Sequence, residues 1–192
     1  MRARWLTASV AGFVILAAGA ASAATLPGRT SGADRSAWRS ILHWPASCES
    51  GWHEAAEVGS GIGLLPAGAD RRLVTVSCYF GAYQGVTMLY LVGAARTVVG
   101  PLELDLYGES GSGRPRPRRQ SQILGVLSFA PASLSLHVLD EFAGAGDCGI
   151  YSTFRLEGNH FAPVVVRAKL ACDGRPPFQP RSWPQLPLPG DP

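Results

Sequence analysis

Four cysteines that follow an export signal constrain this chain more than any other feature. They are Cys48, Cys78, Cys148 and Cys172, and the chain contains no others. Outside the reducing cytosol, an even number of cysteines in a small domain is typical of structural disulfides. The sequence therefore predicts a domain held by two crosslinks, and it gives no sharper indication of activity than that.

The N-terminus has the three parts of a secretory signal peptide. Arg2 and Arg4 form the charged start, an apolar stretch follows from Val10 to Ala18, and Ala21-Ser22-Ala23 has the small-x-small pattern of a cleavage site. We expect cleavage between Ala23 and Ala24, and a periplasmic or secreted mature protein. No stable membrane anchor is expected, because a spanning helix needs about 20 apolar residues and this stretch is shorter.

Composition argues against two classes of partner. The formal net charge of +3 includes Arg2 and Arg4, so the mature chain is almost neutral. A balanced charge favours neither nucleic acid nor an anionic membrane surface. We therefore expect no nucleic-acid partner.

The hydrophobic pattern predicts one domain after the signal peptide, which occupies residues 1–23. Residues 24–33 form a flexible lead, residues 34–174 a single β-rich domain, and residues 175–192 a proline-rich extended tail. A short helix begins at Asp34, includes Trp38 and Ile41, and ends before Pro45. Apolar runs with the period of strands follow, separated by glycine- and proline-containing breaks, at 74–79, 86–92, 102–107, 123–129, 133–138, 150–156 and 164–170.

The spacing of these runs favours an antiparallel architecture. No helix-length pattern lies between consecutive strands, so parallel βαβ units are disfavoured. The predicted fold is mostly β: an antiparallel sandwich or partly closed barrel with one short N-terminal helix, crosslinked by disulfides.

Four cysteines allow three pairings, and the sequence alone leaves all three open. Strand phase favours one of them. Cys78, Cys148 and Cys172 share parity with apolar neighbours and are expected to point toward the core. Because Cys148 and Cys172 flank two strands that could lie side by side, we favour Cys148–Cys172 together with Cys48–Cys78.

Residues 110–122 read as an unstructured loop rich in arginine, proline and glycine. A solvated hairpin loop is one interpretation. The other is an anion-binding arm for a phosphate-rich polymer or an acidic partner, since guanidinium groups suit phosphate and carboxylate. Its candidate residues are Arg114, Arg116, Arg118 and Arg119.

Motifs for catalysis, metals and cofactors are weak. Gly144 to Gly149 spells Gly-x-Gly-x-x-Gly, but a strand pattern follows where dinucleotide binding needs a helix, so no cofactor is predicted. His43, Cys48 and His53 match no compact zinc spacing, so no metal is predicted. No nucleophile motif is found, and no catalytic residue is assigned.

Several residues together resemble domain of unknown function family 1176. The resemblance covers Trp38 to Trp183 and is most specific at Gly146-Asp147-Cys148-Gly149, followed by Phe161 and Cys172. Further matching segments are Trp44-Pro45, Cys48-Glu49, Val76-Ser77-Cys78, Gly81 to Gly85, and Trp183-Pro184. It implies an exported bacterial protein with paired cysteines and no assigned activity. Family members tend to carry basic residues before the Asp-Cys pair, where this chain has Phe142 to Gly146.

These observations favour a non-catalytic module of the cell envelope, inhibitor-like or otherwise, that binds a protein or a polysaccharide through its loops. Tyr83 and Gln84, at a glycine-flanked turn, are the preferred ligand contacts. Asp147 and Arg155 are further candidates and could pair with each other. One alternative is an envelope glycan hydrolase that uses Asp140, Glu141 or Asp147, and another is a purely structural domain.

Overall fold

The computed structural model describes residues 32–55, 60–81, 83–93, 97–108, 115–143 and 145–188. The predicted signal peptide, nearly all of the lead and Arg114 lie outside these ranges. No helix in the described ranges is long and apolar enough to cross a membrane. The helices are α1 (Gly32–Leu42) and α2 (Ala46–Ala55), and a 3-10 turn covers Pro180–Ser182.

The strands form two five-stranded sheets and a separate ribbon, with antiparallel pairing throughout. The strands are β1 (Ile62–Pro66), β2 (Arg71–Phe80), β3 (Gly85–Gly93), β4 (Val98–Val99), β5 (Leu104–Gly108), β6 (Arg116–Gln120), β7 (Ile123–Leu124), β8 (Val126–Ala130), β9 (Ser135–Glu141), β10 (Gly149–Glu157), β11 (His160–Lys169) and β12 (Gln185–Leu186). Sheet 1 has the order β1-β2-β3-β4, with β7 also paired to β3. Sheet 2 has the order β12-β11-β10-β9-β8, and β5 pairs with β6 in the ribbon.

The prediction of a mostly β, antiparallel, disulfide-crosslinked fold is confirmed. Of the two alternatives offered, the barrel is not observed, since the described strands do not close. One detail is wrong: two helices replace the single one expected. The second helix, α2, was missed because Gly51 and its serines obscure the pattern. Its signal was the i, i+4 spacing of Cys48 and Trp52, which are both buried.

The helices cover the outer face of sheet 1. Helix α1 contributes Trp38 and Leu42, which lie one turn apart and pack on one side of the sheet. It ends at Leu42 because His43 adopts a left-handed backbone, with φ of 55°. Gly51 of α2 brings the second helix close to β2, since a Cβ there would lie 3.0 Å from the Tyr79 Cβ. The apolar cluster between helices and sheet includes Val74, Val76, Val86, Met88, Tyr90 and Val92.

The inner face of sheet 1 shares a second apolar cluster with sheet 2. Leu73, Leu89 and Leu91 from sheet 1 belong to the same cluster as Leu136 and Phe154 from sheet 2. Strand β3 is therefore buried on both faces, which explains its continuous apolar run. The molecule thus has three layers: helices, sheet 1 and sheet 2.

A buried ion pair fastens both helices to the start of sheet 1. The Arg35 guanidinium donates to Glu49 Oε2 at 3.0 Å and to the Ser60 carbonyl at 2.9 Å. It lies 5.1 Å from the ring centroid of Trp44 and 4.7 Å from that of Trp52. Burial opposes ionisation of Glu49, but donation from the Trp44 indole and attraction to Arg35 outweigh it and lower the pKa of that carboxyl.

Both favoured disulfides, Cys48–Cys78 and Cys148–Cys172, are present, and the described residues contain no free cysteine. The first joins α2 to β2. The second joins the turn before β10 to the segment after β11. Cys172 is exposed, so the prediction that it points toward the core is wrong. Strand β11 ends at Lys169, and Cys172 falls in the irregular segment beyond it.

The proline-rich C-terminal segment packs on sheet 2 rather than extending freely. Its Trp183 is completely buried, and the indole donates to the Pro177 carbonyl at 3.0 Å. The Trp183 carbonyl accepts a bond from Arg167, and β12 then pairs with β11. The reading of this segment as a plain tail missed the anchoring effect of one large apolar side chain.

The arginine-rich segment is also more ordered than its composition suggests. Residues 116–120 form β6, which pairs with β5 along its whole length. The interpretation of 110–122 as an unstructured loop is therefore wrong for these residues. Their side chains are all exposed, so strand pairing with β5, and not burial, gives the segment its structure.

Candidate binding groove

A groove of about 680 Å³ opens where the inner face of sheet 1 extends past sheet 2. Strands β1, β2 and β3 form its floor, the turn between β2 and β3 forms one end, and the start of β8 forms the wall. Its volume lies within the range of about 300–1,000 Å³ that is usual for ligand sites. The lining residues are Gly63, Leu65, Thr75, Phe80, Gly81, Tyr83, Gln84, Gly85, Thr87, Gly125, Val126 and Leu127.

The floor follows from strand parity. Gly63 pairs with Thr75 across β1 and β2, so both lie on the same face of sheet 1 as Leu73 two residues away. Thr87 likewise shares the face of Leu89. A Cβ on Gly63 would lie 2.3 Å from Thr75 Oγ1, so glycine is needed for the threonine to occupy its position. The floor is therefore low because its side chains are small.

Two exposed aromatic rings stand at the end of the groove. Phe80 is 57% exposed and Tyr83 is 46% exposed. The Tyr83 hydroxyl donates to the Phe142 carbonyl at 3.1 Å, which holds the ring across the end of β9. Gly85 fits against the Phe80 ring, since a Cβ there would lie 3.2 Å from two ring carbons. The rings are therefore held in place while their faces remain accessible.

Gln84 joins the two sheets at this end. Its amide Nε2 donates to Asp140 Oδ1 at 2.8 Å and to the Glu141 carbonyl at 3.3 Å, and its Oε1 accepts from the Glu141 N–H at 3.0 Å. Burial raises the pKa of the Asp140 carboxyl, and the hydrogen bond from Gln84 partly opposes that rise. Gln84 is itself only 8% exposed, so its amide positions the groove end and is not free for a ligand.

The wall of the groove begins at Gly125, where the chain passes from sheet 1 to sheet 2. The Gly125 N–H donates to the Gly85 carbonyl at 3.0 Å, and its φ is 134°. A Cβ at this position would lie 2.5 Å from the Leu139 carbonyl oxygen. Only glycine satisfies both the backbone angle and this approach, so Gly125 fixes where β8 starts.

The lining carries no acid, no arginine, no lysine and no histidine among its described residues. It offers aromatic faces, apolar side chains, two threonine hydroxyls and backbone groups. Such a surface can bind an uncharged ligand, and it contains no carboxylate, histidine or amine to act as a general base. Sequence reasoning identified Tyr83 and Gln84 here but missed the glycines and threonines of the floor. The signal was the change from leucine to threonine at alternate positions of β2 and β3.

The other candidate residues lie elsewhere. Asp147 accepts a bond from the Gly174 N–H at 2.8 Å and lies 3.9 Å from the Lys169 ammonium. Arg155 is not among its partners and is exposed on β10. Asp147 and the two nearby cysteines place potential metal-binding atoms close together, but both sulfurs are in the disulfide. Asp147 thus holds the C-terminal segment in place.

The carboxylates of the hydrolase alternative are not brought together in a cavity. Asp140 lines a small cavity of about 110 Å³ beneath the ribbon, and no other carboxylate lines it. Five cavities among the described residues, the groove included, are each lined by at most one carboxylate. A paired acid and base on glycans requires such a pair about 5–10 Å apart.

The arginines of the ribbon separate into two groups. Arg119 lies 3.6 Å from a carboxylate oxygen of Glu103 and 3.9 Å from one of Asp105. Arg116 and Arg118 alternate with Pro117 along β6, so they share one face of the strand. Neither of these two forms an ion pair with any described residue. Within the described part of the predicted anion-binding arm, Arg116 and Arg118 are thus the exposed arginines without an acidic partner.

Comparison with known proteins gives a relative without an assigned role. The chain is 27% identical over 118 residues to "Uncharacterized protein YpfG" of Escherichia coli (strain K12), which covers 61% of this chain. The matched region is 32% of the length of that relative, so the two proteins are alike over about a third of YpfG. No solved structure matches. The family model described as "Protein of unknown function (DUF1176)" matches residues 16–187, and the chain therefore belongs to this family.

Proposed function

We propose that this protein is a non-catalytic binding module of the cell envelope, and that it binds an uncharged segment of a protein or a polysaccharide in the groove beside β8. The observation that carries the proposal is the groove itself: an accessible space of about 680 Å³ with aromatic rings at its end and no carboxylate, histidine, lysine or arginine in its lining. Export through the predicted signal peptide would deliver the module to that compartment. Two disulfides suit an oxidising location.

The scaffold around the groove supports binding more than catalysis. The floor belongs to sheet 1, which is buried between two layers, and the groove end is joined to sheet 2 by the Gln84 amide. A site that is rigid before its ligand arrives loses little conformational entropy on binding. Preorganisation of this kind favours affinity without any reacting group.

The test uses the exposed rings. Binding of uncharged glycan fragments and of random-sequence peptides would be measured by calorimetry with the purified mature protein. Phe80→Ala and Tyr83→Ala should weaken any ligand of the groove by about tenfold or more, since exposed aromatic anchors dominate such surfaces. Phe178→Ala is the matched control, because Phe178 is 55% exposed but lies on the C-terminal segment. Equal loss in the control, or no loss in the two groove variants, would contradict the proposal.

The ribbon supports a second candidate, an anion-binding surface. Arg116 and Arg118 lie on one exposed strand face without an acidic partner in the described chain, whereas Arg119 is matched by Glu103 and Asp105. Guanidinium groups spaced by one residue suit a polymer of phosphates or carboxylates. Arg116→Gln with Arg118→Gln should abolish salt-sensitive retention on a heparin column, while Arg119→Gln should reduce it less. Equal retention of all three proteins would contradict this candidate.

A further inference from the structure

We infer that the ligand of the groove is an extended, uncharged peptide segment of another protein, which adds to sheet 2 as a strand alongside β8. The inference rests on the proposed function and assigns its ligand class. It starts from the free edge of β8. Strand β8 is the last strand of sheet 2 and pairs only with β9. Among the described residues, no other backbone group is bonded to Val126–Ala130.

A free edge of this composition is unusual within the molecule itself. Val126–Ala130 has five residues, no charge, no proline and no break in its register with β9. Edge strands of stable proteins normally carry charge, proline or a bulge, because unpaired backbone groups otherwise attract another strand. Val126 adds an apolar side chain that is 54% exposed. Strand β8 has none of these protective features.

The other terminal strands show how this chain protects an edge. Strand β1 ends in Pro66, and β6 carries Pro117 among three arginines. Strand β4 has only two residues and precedes Gly100-Pro101, and β12 has only two residues between Pro184 and Pro187. Strand β5 carries Asp105, and β7 has only two residues. Strand β8 is followed by Pro131, but its own five residues include neither a charge nor a proline. Among the described strands at a sheet edge, β8 is therefore the one of more than two residues that contains neither, and it borders the groove.

The groove has the shape that an added strand needs. Neighbouring strands lie about 4.8 Å apart, and alternate side chains point to opposite faces. A peptide beside β8 would direct every second side chain toward the floor, where Gly63, Thr75 and Thr87 leave room for it. Leu65 and Leu127 would contact apolar side chains at these positions. The peptide is thus expected to alternate apolar or β-branched residues with variable ones.

Charge and hydrogen bonding favour a peptide over a glycan. The lining has no charged group to meet a charged ligand, so charge complementarity selects a neutral one. A glycan would need several free side-chain donors and acceptors, but Gln84 and the Tyr83 hydroxyl already bond to sheet 2. Besides the two threonine hydroxyls of the floor, the unused hydrogen-bonding groups include those of the β8 backbone, and their spacing matches another strand.

The experiment selects linear heptapeptides from a random display library on the mature protein and measures the affinity of the synthetic peptides. Val126→Lys should weaken binding by about tenfold or more, because it places a charge on the edge that the peptide pairs with. Val164→Lys is the matched control: Val164 lies in β11 of the same sheet and is 44% exposed. The control should bind as tightly as the natural protein. Peptides methylated on single backbone nitrogens should lose binding at every second residue only.

The remaining outcomes separate this inference from the proposed function. Hydrogen exchange should slow at alternate amides of residues 126–130 when peptide is bound. Glycan fragments that bind, with loss in Tyr83→Ala but unchanged exchange in β8, would overturn the inference and leave the proposed function standing. A third outcome is self-association that depends on protein concentration, slows exchange at the same amides and is abolished by Val126→Lys. It would identify a second copy of the chain as the occupant of the β8 edge and would also overturn the inference. Failure of every peptide and glycan to bind would overturn both.

Discussion

The two ends of the inner face of sheet 1 use the same strands for different purposes. At one end, Leu73, Leu89 and Leu91 are at most 1% exposed and pack against sheet 2. At the other end, the same face carries Gly63, Thr75 and Thr87, and sheet 2 does not cover it. The side chains at both ends point to the same face of sheet 1. The change from leucine to small residues therefore marks where the packing between the two sheets stops. The molecule thereby separates stability and binding along single strands.

The largest expected effect is the loss of folding stability when the covered end of this face is altered. Leu89→Ala removes a side chain that is completely buried between the sheets, and should destabilise the protein by about 2–5 kcal/mol. Thr87→Ala, two residues earlier on the same face, should cost less than about 1 kcal/mol because its surroundings are open. Urea unfolding of both variants measures the difference. Similar losses would mean that the open end also supports the fold.

The two disulfides provide a further test of the comparison between the covered end and the open end of this sheet face. Replacing Cys48 and Cys78 by serine should cost about 3–4 kcal/mol, since the bridged residues are 30 apart in sequence. The pair Cys148 and Cys172, 24 apart, should cost a similar amount. Because neither bridge lines the groove, ligand affinity below the melting temperature should be unchanged. Loss of affinity in a variant that is still folded would show that a bridge shapes the groove.

Gln84 connects the open end to sheet 2. Gln84→Leu fills similar space but leaves Asp140 Oδ1 and the Glu141 N–H without this partner, and should cost about 1–3 kcal/mol. It should also weaken ligand binding, because the Tyr83 turn loses its link to β9. Tyr83→Phe is the control: it removes only the hydrogen bond to the Phe142 carbonyl, and should cost less than the Gln84 variant. The reverse order would make the tyrosine the principal link.

The sequence predicted those strands whose apolar residues recur at regular intervals or form a continuous run. Strands β2, β3, β9, β10 and β11 follow their period-two or continuous apolar runs. Strands β1 and β6 do not, since Ile-Gly-Leu-Leu-Pro has no alternation and β6 has no apolar residue at all. Their pairing depends on a neighbouring strand, which a local pattern does not encode.

The candidate site was predictable only at its turn. The glycines that flank Tyr83 and Gln84 identify a turn, and the structure places both residues at the groove. The floor depends on which parts of sheet 1 are left uncovered, and that depends on the relative lengths and positions of two sheets. The prediction for Asp147 failed for a related reason. It paired Asp147 with Arg155, eight residues along the chain, but the partners of Asp147 are Lys169 at the end of β11 and Gly174 beyond it.

The smallest expected effect concerns the buried carboxyl of Asp140, which accepts the hydrogen bond from Gln84. Burial raises the pKa of Asp140 in the folded state, so the folded protein holds this proton more tightly than the unfolded chain does. The resulting stabilisation is complete below the ordinary aspartate pKa, near 4, and is lost as the pH rises through the folded pKa. Asp140→Asn keeps an acceptor for Gln84 but cannot ionise. Its stability relative to the natural protein should therefore improve as the pH rises from 3 to 7.

Removing the Gln84 donor should enlarge this pH dependence. The hydrogen bond from Gln84 favours the ionised carboxyl and limits the rise of the Asp140 pKa. In a Gln84→Leu background, burial acts without that opposition, so Asp140→Asn should improve stability over a wider pH interval. Urea unfolding at a series of pH values would be measured for the natural protein, the two single variants and the double variant, which together form a double-mutant cycle. If Asp140→Asn instead loses stability relative to the natural protein as the pH rises, the folded state prefers the carboxylate, and the surroundings of Asp140 are more solvated than its burial indicates.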